Sequence, residues 1–276
     1  MAIFRPVTLI TGASSGIGAE LAKLFAAGGD EIAVVARREA ELNQVAEAIA
    51  ASGRPRPHVI AIDLARADSP ARIAHELLGR GLEPAVVVNN AGFGLLGDAA
   101  DLDRAEQLEM VDLNVRTLTE LSLRWIDSVT RHHGGILNVA SLAGFFPGPR
   151  MAVYYATKAY VLAFTEALHA ELAPAGVRVT ALCPGPVKTG FQSRAGVKFG
   201  RPQAIMGVSP ERVARAGYDG LMKGRRLVIP GLANKIIANL PRFLPRGTVL
   251  RLIHDSQKSR ARAQSEASWP RRGTSG

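Results

Sequence analysis

The chain has 276 residues, of which 47% are hydrophobic and 21% are charged, and it contains a single cysteine. This composition predicts one globular domain with a large core and excludes an intramolecular disulfide framework. The net charge is +10, but residues 221–276 hold 12 basic and 2 acidic side chains, which leaves 22 of each elsewhere. The body of the protein is therefore neutral, and its basic character belongs to the C-terminal end.

Short apolar runs alternate along the chain with longer segments of helical period. The predicted strands are 7–11, 31–36, 59–62, 86–89, 136–140, 177–182 and 226–229. The predicted helices are 19–27, 39–51, 71–78, one long helix within 105–129, 154–172 and 209–222. Seven apolar strands separated by helices predict a doubly wound α/β (Rossmann) domain, in which helices cover both faces of a seven-stranded parallel sheet. Ligands of such a sheet bind at the carboxyl ends of its strands.

A glycine-rich loop, TGASSGIG at residues 11–18, follows the first predicted strand and opens the first helix. Glycines there permit a tight turn and close approach of the backbone to a pyrophosphate, and the helix N-terminus offers N–H groups to the phosphates. An ordinary turn is the alternative, but the strand–loop–helix context favours nucleotide binding. The predicted contacts are Gly12, Ser14, Ser15, Gly16, Ile17 and Gly18.

The second predicted strand ends in Ala36 and is followed by Arg37 and Arg38. An NAD site commonly has an acidic residue here, which binds the ribose 2′-hydroxyl, whereas a guanidinium can pair with a 2′-phosphate. The missing acid and the added bases predict NADP(H), with Arg37 as the first candidate because it comes directly after the strand. The alternative is two solvated charges at the start of a helix.

Polar and small residues also follow the third and fourth predicted strands. Asp63, with Leu64 beside it, follows the third strand, where a carboxylate can accept a hydrogen bond from the adenine amino group. Asn90, Ala91 and Gly92 follow the fourth strand and are expected to line the adenosine ribose.

Tyr154 and Lys158 are four residues apart and therefore share one helix face. A tyrosine is a poor base at neutral pH, but a nearby ammonium and an oxidised nicotinamide both favour the phenolate. Ser141 comes directly after the fifth predicted strand, where its hydroxyl can hydrogen-bond a substrate oxygen. Tyr155 is a rival phenol, but Ala159 lies four residues after it, so we expect Tyr155 to pack or to line a pocket.

These elements occur in the order typical of the short-chain dehydrogenase/reductase family, which the sequence resembles from about Val7 to Pro230. The shared elements are TGASSGIG at 11–18, Asp63, NNAG at 89–92, Asn114, Ser141, YxxxK at 154–158, and PG at 184–185 with Thr189. Each element alone is weak evidence for the family, whereas the ordered set is highly specific for it.

The resemblance implies a catalytic tetrad. Tyr154 would be the general acid in reduction and the base in oxidation, and Lys158 would bind the nicotinamide ribose and lower the pKa of Tyr154. Ser141 would polarise the carbonyl, and Asn114 would lie at a helix irregularity and hold a water of the proton relay. The resemblance also implies a homo-oligomer, a dimer or a tetramer. Val187 and Thr189 would contact the nicotinamide carboxamide, and Pro184 and Gly185 would belong to the cofactor-binding residues.

The sequence thus predicts an NADP(H)-dependent oxidoreductase that transfers a hydride between nicotinamide and a carbonyl or secondary alcohol. Phe145, Phe146 and Pro147 after Ser141 predict an apolar wall. In segment 190–208, where the family's substrate lid lies, apolar and basic residues fit an acyl chain with an anionic head or, equally, a solvated loop. We expect an apolar or lipid-like ketone, for example a 3-oxoacyl thioester. The alternative is an NADPH-binding sensor of the same fold with little catalytic role. No metal site is predicted.

Beyond the predicted catalytic domain, residues 1–231, lies an amphipathic basic extension, residues 232–256, broken by Pro241 and Pro245. It either packs on the domain or on another subunit, which we favour, or lies on an anionic membrane. Residues 257–276 form a polar tail that we expect to be disordered. This tail is basic but contains no nucleic-acid recognition motif, so no specific nucleic-acid partner is expected. With no secretory leader and no apolar run of about 18 residues, we expect a cytoplasmic protein, with peripheral membrane contact as the alternative.

Overall fold

A computed structural model describes residues 4–187 and 207–255. Its seven strands form one entirely parallel sheet in the order β3-β2-β1-β4-β5-β6-β7. The strands are β1 (Arg5–Thr11), β2 (Ile32–Ala36), β3 (His58–Ala61), β4 (Leu82–Asn89), β5 (Gly135–Val139), β6 (Arg178–Leu182) and β7 (Leu227–Val228). The predicted doubly wound fold is confirmed.

Helices cover both faces of the sheet. They are α1 (Gly16–Ala27), α2 (Glu39–Ala51), α3 (Ser69–Gly79), α4 (Arg104–Val111), α5 (Leu118–Arg124), α6 (Ile126–Arg131), α7 (Ala152–Leu172), α8 (Pro210–Met222), α9 (Leu232–Asn239) and α10 (residues 246–255). Short 3₁₀ turns lie at Leu142–Phe145, Ala173–Ala175 and Leu240–Arg242.

The packing of successive strand residues explains why the strands are mainly apolar. In β1, Ile10 packs in the cluster formed with α1, α2 and α8, whereas its neighbour Leu9 packs in the cluster formed with α3, α5, α6 and α7. Val34 and Val35 of β2 divide between the same two clusters. Because side chains alternate across a strand, a sheet covered on both faces favours apolar residues at successive positions.

The chain leaves β1 towards β2 and β3 and then returns to β4 on the other side of β1. The connections at the carboxyl ends of β1 and β4 therefore diverge, and the crevice between them is where a doubly wound sheet binds its ligand. The glycine-rich loop and Asn90 meet at this point.

The prediction of one long helix within 105–129 is wrong. Helix α4 ends at Val111, a π-helical segment occupies Asp112–Thr117, and α5 and α6 are separated at Trp125, whose φ of −107° and ψ of 10° are not helical. The irregularity that the family resemblance implies at Asn114 is confirmed, because Asn114 lies inside the π-helical segment.

The C-terminal extension packs on the core through one face of α9. Asn234 and Ala238 are buried, and Ala238 joins the cluster that contains Val161 and Ile229. The predicted boundary at residue 231 thus marks a change in composition, while α9 shares the core of the preceding domain. Among the described residues, no helix combines the length and the apolarity needed to cross a bilayer. Thr189, most of the predicted lid and the tail at 257–276 lie outside the described residues.

Candidate active site

The glycine-rich loop depends on glycine at three positions. Gly12 and Gly16 have φ values of +65° and +59°, in the left-handed region that favours glycine. A Cβ on Gly12 would lie 2.8 Å from the Cα of Ala91, and a Cβ on Gly18 would lie 2.4 Å from the carbonyl oxygen of Gly12. Ile17 packs beneath the loop against the core. The loop is therefore a bare backbone cradle at a helix N-terminus, which fits the pyrophosphate of a dinucleotide.

Asn90 fastens this loop to the end of β4. Its side-chain nitrogen donates hydrogen bonds to the carbonyl oxygens of Thr11 (3.0 Å) and Gly12 (3.1 Å). The backbone N–H groups of Asn90 and Ala91 donate to the Thr11 hydroxyl at 3.0 and 3.1 Å. The amide of Asn90 thus holds the loop in shape, a role that the sequence analysis did not assign to it.

The two arginines after β2 point in different directions. The Arg38 guanidinium donates to the hydroxyls of Ser14 (3.0 Å) and Ser15 (3.1 Å), so it lies on the glycine-rich loop. Arg37 instead lies 3.7 Å from the carboxylate of Glu109 in α4. Both side chains are about half exposed. The structure therefore groups one guanidinium and two hydroxyls beside the loop, and the guanidinium is that of Arg38.

Asp63 and Leu64 form the next side of the crevice, after β3. The Asp63 carboxylate accepts a hydrogen bond from the backbone of Ala65 at 3.2 Å. Leu64 is buried, and its carbonyl oxygen accepts from the Thr117 hydroxyl at 2.7 Å. The turn that carries Asp63 is therefore tied to the end of the π-helical segment.

Ser141, Tyr154 and Lys158 come together at the carboxyl end of β5. The Tyr154 side chain is buried and hydrogen-bonds with that of Ser141. Burial raises the pKa of the Tyr154 phenol to about 12, and the hydrogen bond with Ser141 opposes this shift only in part. The phenol therefore keeps its proton at neutral pH, as a general acid must.

Lys158 is buried as well, and its Nζ donates to the carbonyl oxygen of Val139 at 2.8 Å. Burial lowers the pKa of Lys158 to about 8. In the protein alone, burial thus dominates the pKa of both groups, and the lowering of the Tyr154 pKa by Lys158 remains an expectation for the cofactor complex. A Cβ on Gly92 would lie 3.4 Å from the Lys158 Nζ, so this glycine keeps the end of β4 close to the amine.

Asn114 is completely buried, and its side chain joins three parts of the chain. It donates to the carbonyl oxygen of Phe93 (2.9 Å) and to the Thr157 hydroxyl (3.1 Å), and its oxygen accepts from the Phe93 N–H (3.1 Å). Thr157 in turn donates to the carbonyl oxygen of Tyr154 at 2.7 Å. The π-helical segment thereby places Asn114 against the helix that carries the phenol and the amine.

Thr157 and a buried amide network beneath the crevice are not among the residues predicted from the sequence. Asn89 donates to Asn138 (2.9 Å) and to Ser122 (3.0 Å), and Asn138 donates to Thr165 (3.0 Å). These bonds join β4, β5, α5 and α7 under the reacting residues. The available signal was an asparagine within each of two otherwise apolar strands, since a buried amide needs partners.

The PG motif lies after β6 and closes the remaining side of the site. The N–H of Leu142, next to Ser141, donates to the carbonyl oxygen of Pro184 at 2.9 Å. A Cβ on Gly185 would lie 2.5 Å from the side-chain oxygen of Asn234, so α9 packs directly on this motif. Val187 is buried.

Apolar side chains surround the phenol. Tyr154 belongs to a buried cluster with Phe93, Met110, Ala143 and Met151. Partly buried Leu95, Leu96, Leu113, Val153 and Tyr155 pack against it. The predicted wall residues Phe145 and Phe146 pack in a different cluster, the one that contains Ala238 of α9. The apolar surroundings of Tyr154 therefore come from the segments after β4 and before α7.

Cys183 is buried next to this site, and burial raises the pKa of its thiol to about 12. A buried thiol with a raised pKa is not a reactive thiolate.

The ordered motifs and this geometry agree with the sequence comparison. The sequence model of the short chain dehydrogenase family matches residues 6–198. The chain belongs to the short-chain dehydrogenase/reductase family. It is an oxidoreductase that acts on a carbonyl or an alcohol with a nicotinamide cofactor.

Two curated relatives show the breadth of the family around this chain. The chain is 35% identical to sulfoacetaldehyde reductase 2 of Chromohalobacter salexigens over 67% of this chain and 74% of the relative. It is 31% identical to the very-long-chain 3-oxoacyl-CoA reductase of Anas platyrhynchos over 91% of this chain and 79% of the relative. A solved short-chain dehydrogenase from Sphingobium yanoikuyae, in complex with NADPH, has a TM-score of 0.75 at 26% identity and covers 98% of this chain and 99% of its own.

Proposed function

We propose that the protein is an NADP(H)-dependent ketoreductase of apolar or lipid-like ketones, with 3-oxoacyl thioesters as the leading substrate class. The observation that carries this proposal is the protonated, buried Tyr154 phenol, hydrogen-bonded to Ser141 and set in an apolar cluster. The likeness to a 3-oxoacyl-CoA reductase over most of the chain supports the substrate class.

Ser141, Tyr154 and Lys158 have different roles in the proposed reduction. NADPH, when bound, supplies the hydride. The Ser141 hydroxyl donates a hydrogen bond to the substrate carbonyl oxygen, which stabilises the negative charge that develops there. The Tyr154 phenol then delivers its proton to that oxygen and completes the alcohol. Lys158 would hold the ribose of the bound cofactor, and the positive charge of its amine would stabilise the phenolate left behind.

Tyr154→Phe tests this assignment. Turnover should fall by roughly 10²- to 10⁴-fold because the proton donor is lost, while NADPH binding, followed by quenching of protein fluorescence, should be retained. Tyr155→Phe is the matched control and should keep most of the activity. A Tyr154→Phe variant that still turns over ketones would contradict the assignment. Wild-type protein that binds NADPH but reduces nothing in a broad carbonyl panel would favour the sensor alternative.

Arg38 is our first candidate for the NADP 2′-phosphate, ahead of Arg37, because its guanidinium lies on the glycine-rich loop together with Ser14 and Ser15. Arg38→Ala should weaken NADPH binding by roughly 10- to 100-fold and leave NADH binding nearly unchanged, since hydrogen bonds to charged groups have about this strength. Arg37→Ala is the paired control and should have the smaller effect. Equal loss of NADPH and NADH affinity in Arg38→Ala would contradict the assignment.

The similarity to a sulfoacetaldehyde reductase favours a second substrate class, short anionic aldehydes, for which Arg150 is the candidate anion-binding residue. Arg150 precedes Tyr154 by four residues, and its φ of 66° places a non-glycine residue in the left-handed region. Its Nε is buried without a hydrogen-bond partner among the described residues and lies 4.0 Å from the Asp98 carboxylate. A sulfoacetaldehyde reductase is among the similar relatives. A panel that contains 3-oxoacyl-CoA esters and sulfoacetaldehyde separates the two classes, and Arg150→Gln should raise KM only for anionic substrates.

We further propose a cytoplasmic homo-oligomer, a dimer or a tetramer, with peripheral contact with anionic membranes. A single buried cysteine is compatible with a reducing compartment. Light scattering coupled to gel filtration measures the oligomeric state.

A further inference from the structure

An exposed apolar surface lies at the C-terminal end of the described chain. The described residues expose eleven large apolar side chains, and six of these fall within residues 232–252. We call these six the C-terminal apolar strip: Leu232, Ile236, Leu240, Phe243, Leu250 and Leu252. Their exposed fractions run from 43% to 82%. A concentration of this kind is typical of an interaction surface rather than of an ordinary protein exterior.

The exposed side of α9 is distinct from the side through which this helix packs on the core. Asn234 and Ala238 face inward, where Asn234 packs on Gly185. Leu232 and Ile236 lie four residues apart on the outward face, and Leu240 continues the same spacing directly after the helix. The helix therefore packs through one side and leaves an apolar second side exposed.

Basic residues interleave with the strip. Between residues 232 and 254 the sequence contains four Lys or Arg residues and no Asp or Glu. Lys235, Arg246 and Arg251 are exposed among the apolar side chains. The surface thus combines apolar and positive character, which an anionic bilayer matches in both respects.

Other occupants match only one of these properties. A nucleic acid would satisfy the charge, but exposed leucines and isoleucine offer its bases no stacking platform. A second copy of the chain would cover the apolar side chains, but a two-fold contact would bring like charges together.

We propose that the C-terminal apolar strip docks on an anionic lipid bilayer through the outward side of α9, with Leu232, Ile236 and Leu240 in the interface and the lysine and arginines at the headgroups. This deepens the proposed peripheral contact and does not depend on the identity of the substrate. Because α9 contacts Gly185 through its inner side, docking would place the nicotinamide-side wall of the site within about one helix diameter, roughly 10 Å, of the lipid.

Vesicle flotation of the full chain tests the proposal. The protein should float with phosphatidylcholine vesicles that contain roughly one-third phosphatidylglycerol, much less with phosphatidylcholine alone, and less as salt rises. The triple variant Lys235→Gln/Arg246→Gln/Arg251→Gln should lower the partition coefficient by roughly 100-fold, since each charge near the surface contributes about fivefold. Ile236→Asn/Phe243→Ser should lower it by at least about tenfold through lost apolar burial.

Matched variants on the neutral body control for charge and for hydrophobicity. Arg54→Gln/Arg56→Gln/Arg72→Gln removes three exposed charges, and Leu78→Ser removes an exposed apolar side chain, and both should float like wild type. Turnover of a soluble carbonyl substrate with NADPH is measured in parallel and should stay within about twofold of wild type in every variant.

Three results would overturn the proposal. The first is wild-type protein that does not float with anionic vesicles. The second is a Lys235→Gln/Arg246→Gln/Arg251→Gln variant that floats as well as the Arg54→Gln/Arg56→Gln/Arg72→Gln control. The third is an Ile236→Asn/Phe243→Ser variant that converts an oligomer to monomers in light scattering while flotation is unchanged, which would identify the strip as a subunit interface. Normal flotation without turnover on any carbonyl would overturn the proposed function and support the docking.

Discussion

Lys158 carries an amino group into the protein interior, and its removal should stabilise the cofactor-free protein. The side chain is 4% exposed, and burial lowers its pKa from 10.5 to about 8. This difference corresponds to roughly 3 kcal/mol by which folding disfavours the charged amine at neutral pH. Lys158→Met removes the charge and keeps an unbranched side chain, but it also removes the hydrogen bond to Val139, which contributes about 1 kcal/mol. The net gain is about 2 kcal/mol, or roughly 5 °C in Tm, while turnover is lost.

The sign of the pH dependence follows from the direction of the shift. Since the folded-state pKa of Lys158 lies below the unfolded-state value, the unfolded chain binds more protons between pH 8 and 10.5. Wild type should therefore gain stability across this window relative to Lys158→Met, and the advantage of the variant should shrink. The Tyr154 pKa of about 12 keeps the folded phenol protonated below about pH 10, and loss of a neighbouring positive charge can only raise this pKa further. The phenol is therefore protonated in both folded proteins, and the difference between them isolates the lysine.

Thermal and urea unfolding of both cofactor-free proteins, from about pH 7 to about pH 10, measures the effect. Lys223→Met, at an exposed lysine, is the control and should change Tm little. A Lys158→Met variant that is no more stable than wild type near pH 7, or whose advantage does not depend on pH, would refute the reasoning.

Three further substitutions probe packing and charge. Glu83 is buried, which alone would raise its pKa, but hydrogen bonds from Arg131 and the adjacent histidine lower it. Glu83→Gln should therefore lower the free energy of unfolding in urea by about 1 to 2 kcal/mol at neutral pH. The difference from wild type should shrink in acid, where the wild-type carboxylate becomes protonated. Gly185→Ala should lose about 1 to 3 kcal/mol by crowding Asn234, and Asn234→Ala should restore part of it in the double variant. Gly18→Ala should weaken NADPH binding at least about tenfold in calorimetry, because its Cβ would meet a loop carbonyl at 2.4 Å.

The fold followed from the sequence because each strand contains a short apolar run, which can be recognised without knowledge of distant contacts. Residues 32–36, for example, are buried at every position, as a strand between two helical layers must be. The pairing of the catalytic phenol and amine could also be predicted from the sequence, since a spacing of four residues places two side chains on one face of any helix.

Other parts of the site depend on contacts between distant residues. The π-helical interruption of the predicted long helix contains Asn114, whose hydrogen-bond partners Phe93 and Thr157 lie 21 and 43 residues away along the chain. Arg37 and Arg38 are adjacent, so only the direction of the chain after β2 decides which of them lies on the glycine-rich loop. Sequence periodicity contains neither kind of information.

The π-helical segment at Asp112–Thr117 has a consequence for how the chain tolerates deletions. A π-helical turn bonds residue i to residue i+5 and so contains one residue more than an α-helical turn. A one-codon deletion within it should let the backbone close into an ordinary α-helix, with Leu118 and Leu121 still facing the core. The side chain that now ties Phe93 to Thr157 would then rotate away from the crevice. In genetic terms, the loss of a single residue at this position should separate the requirements of the fold from those of the chemistry.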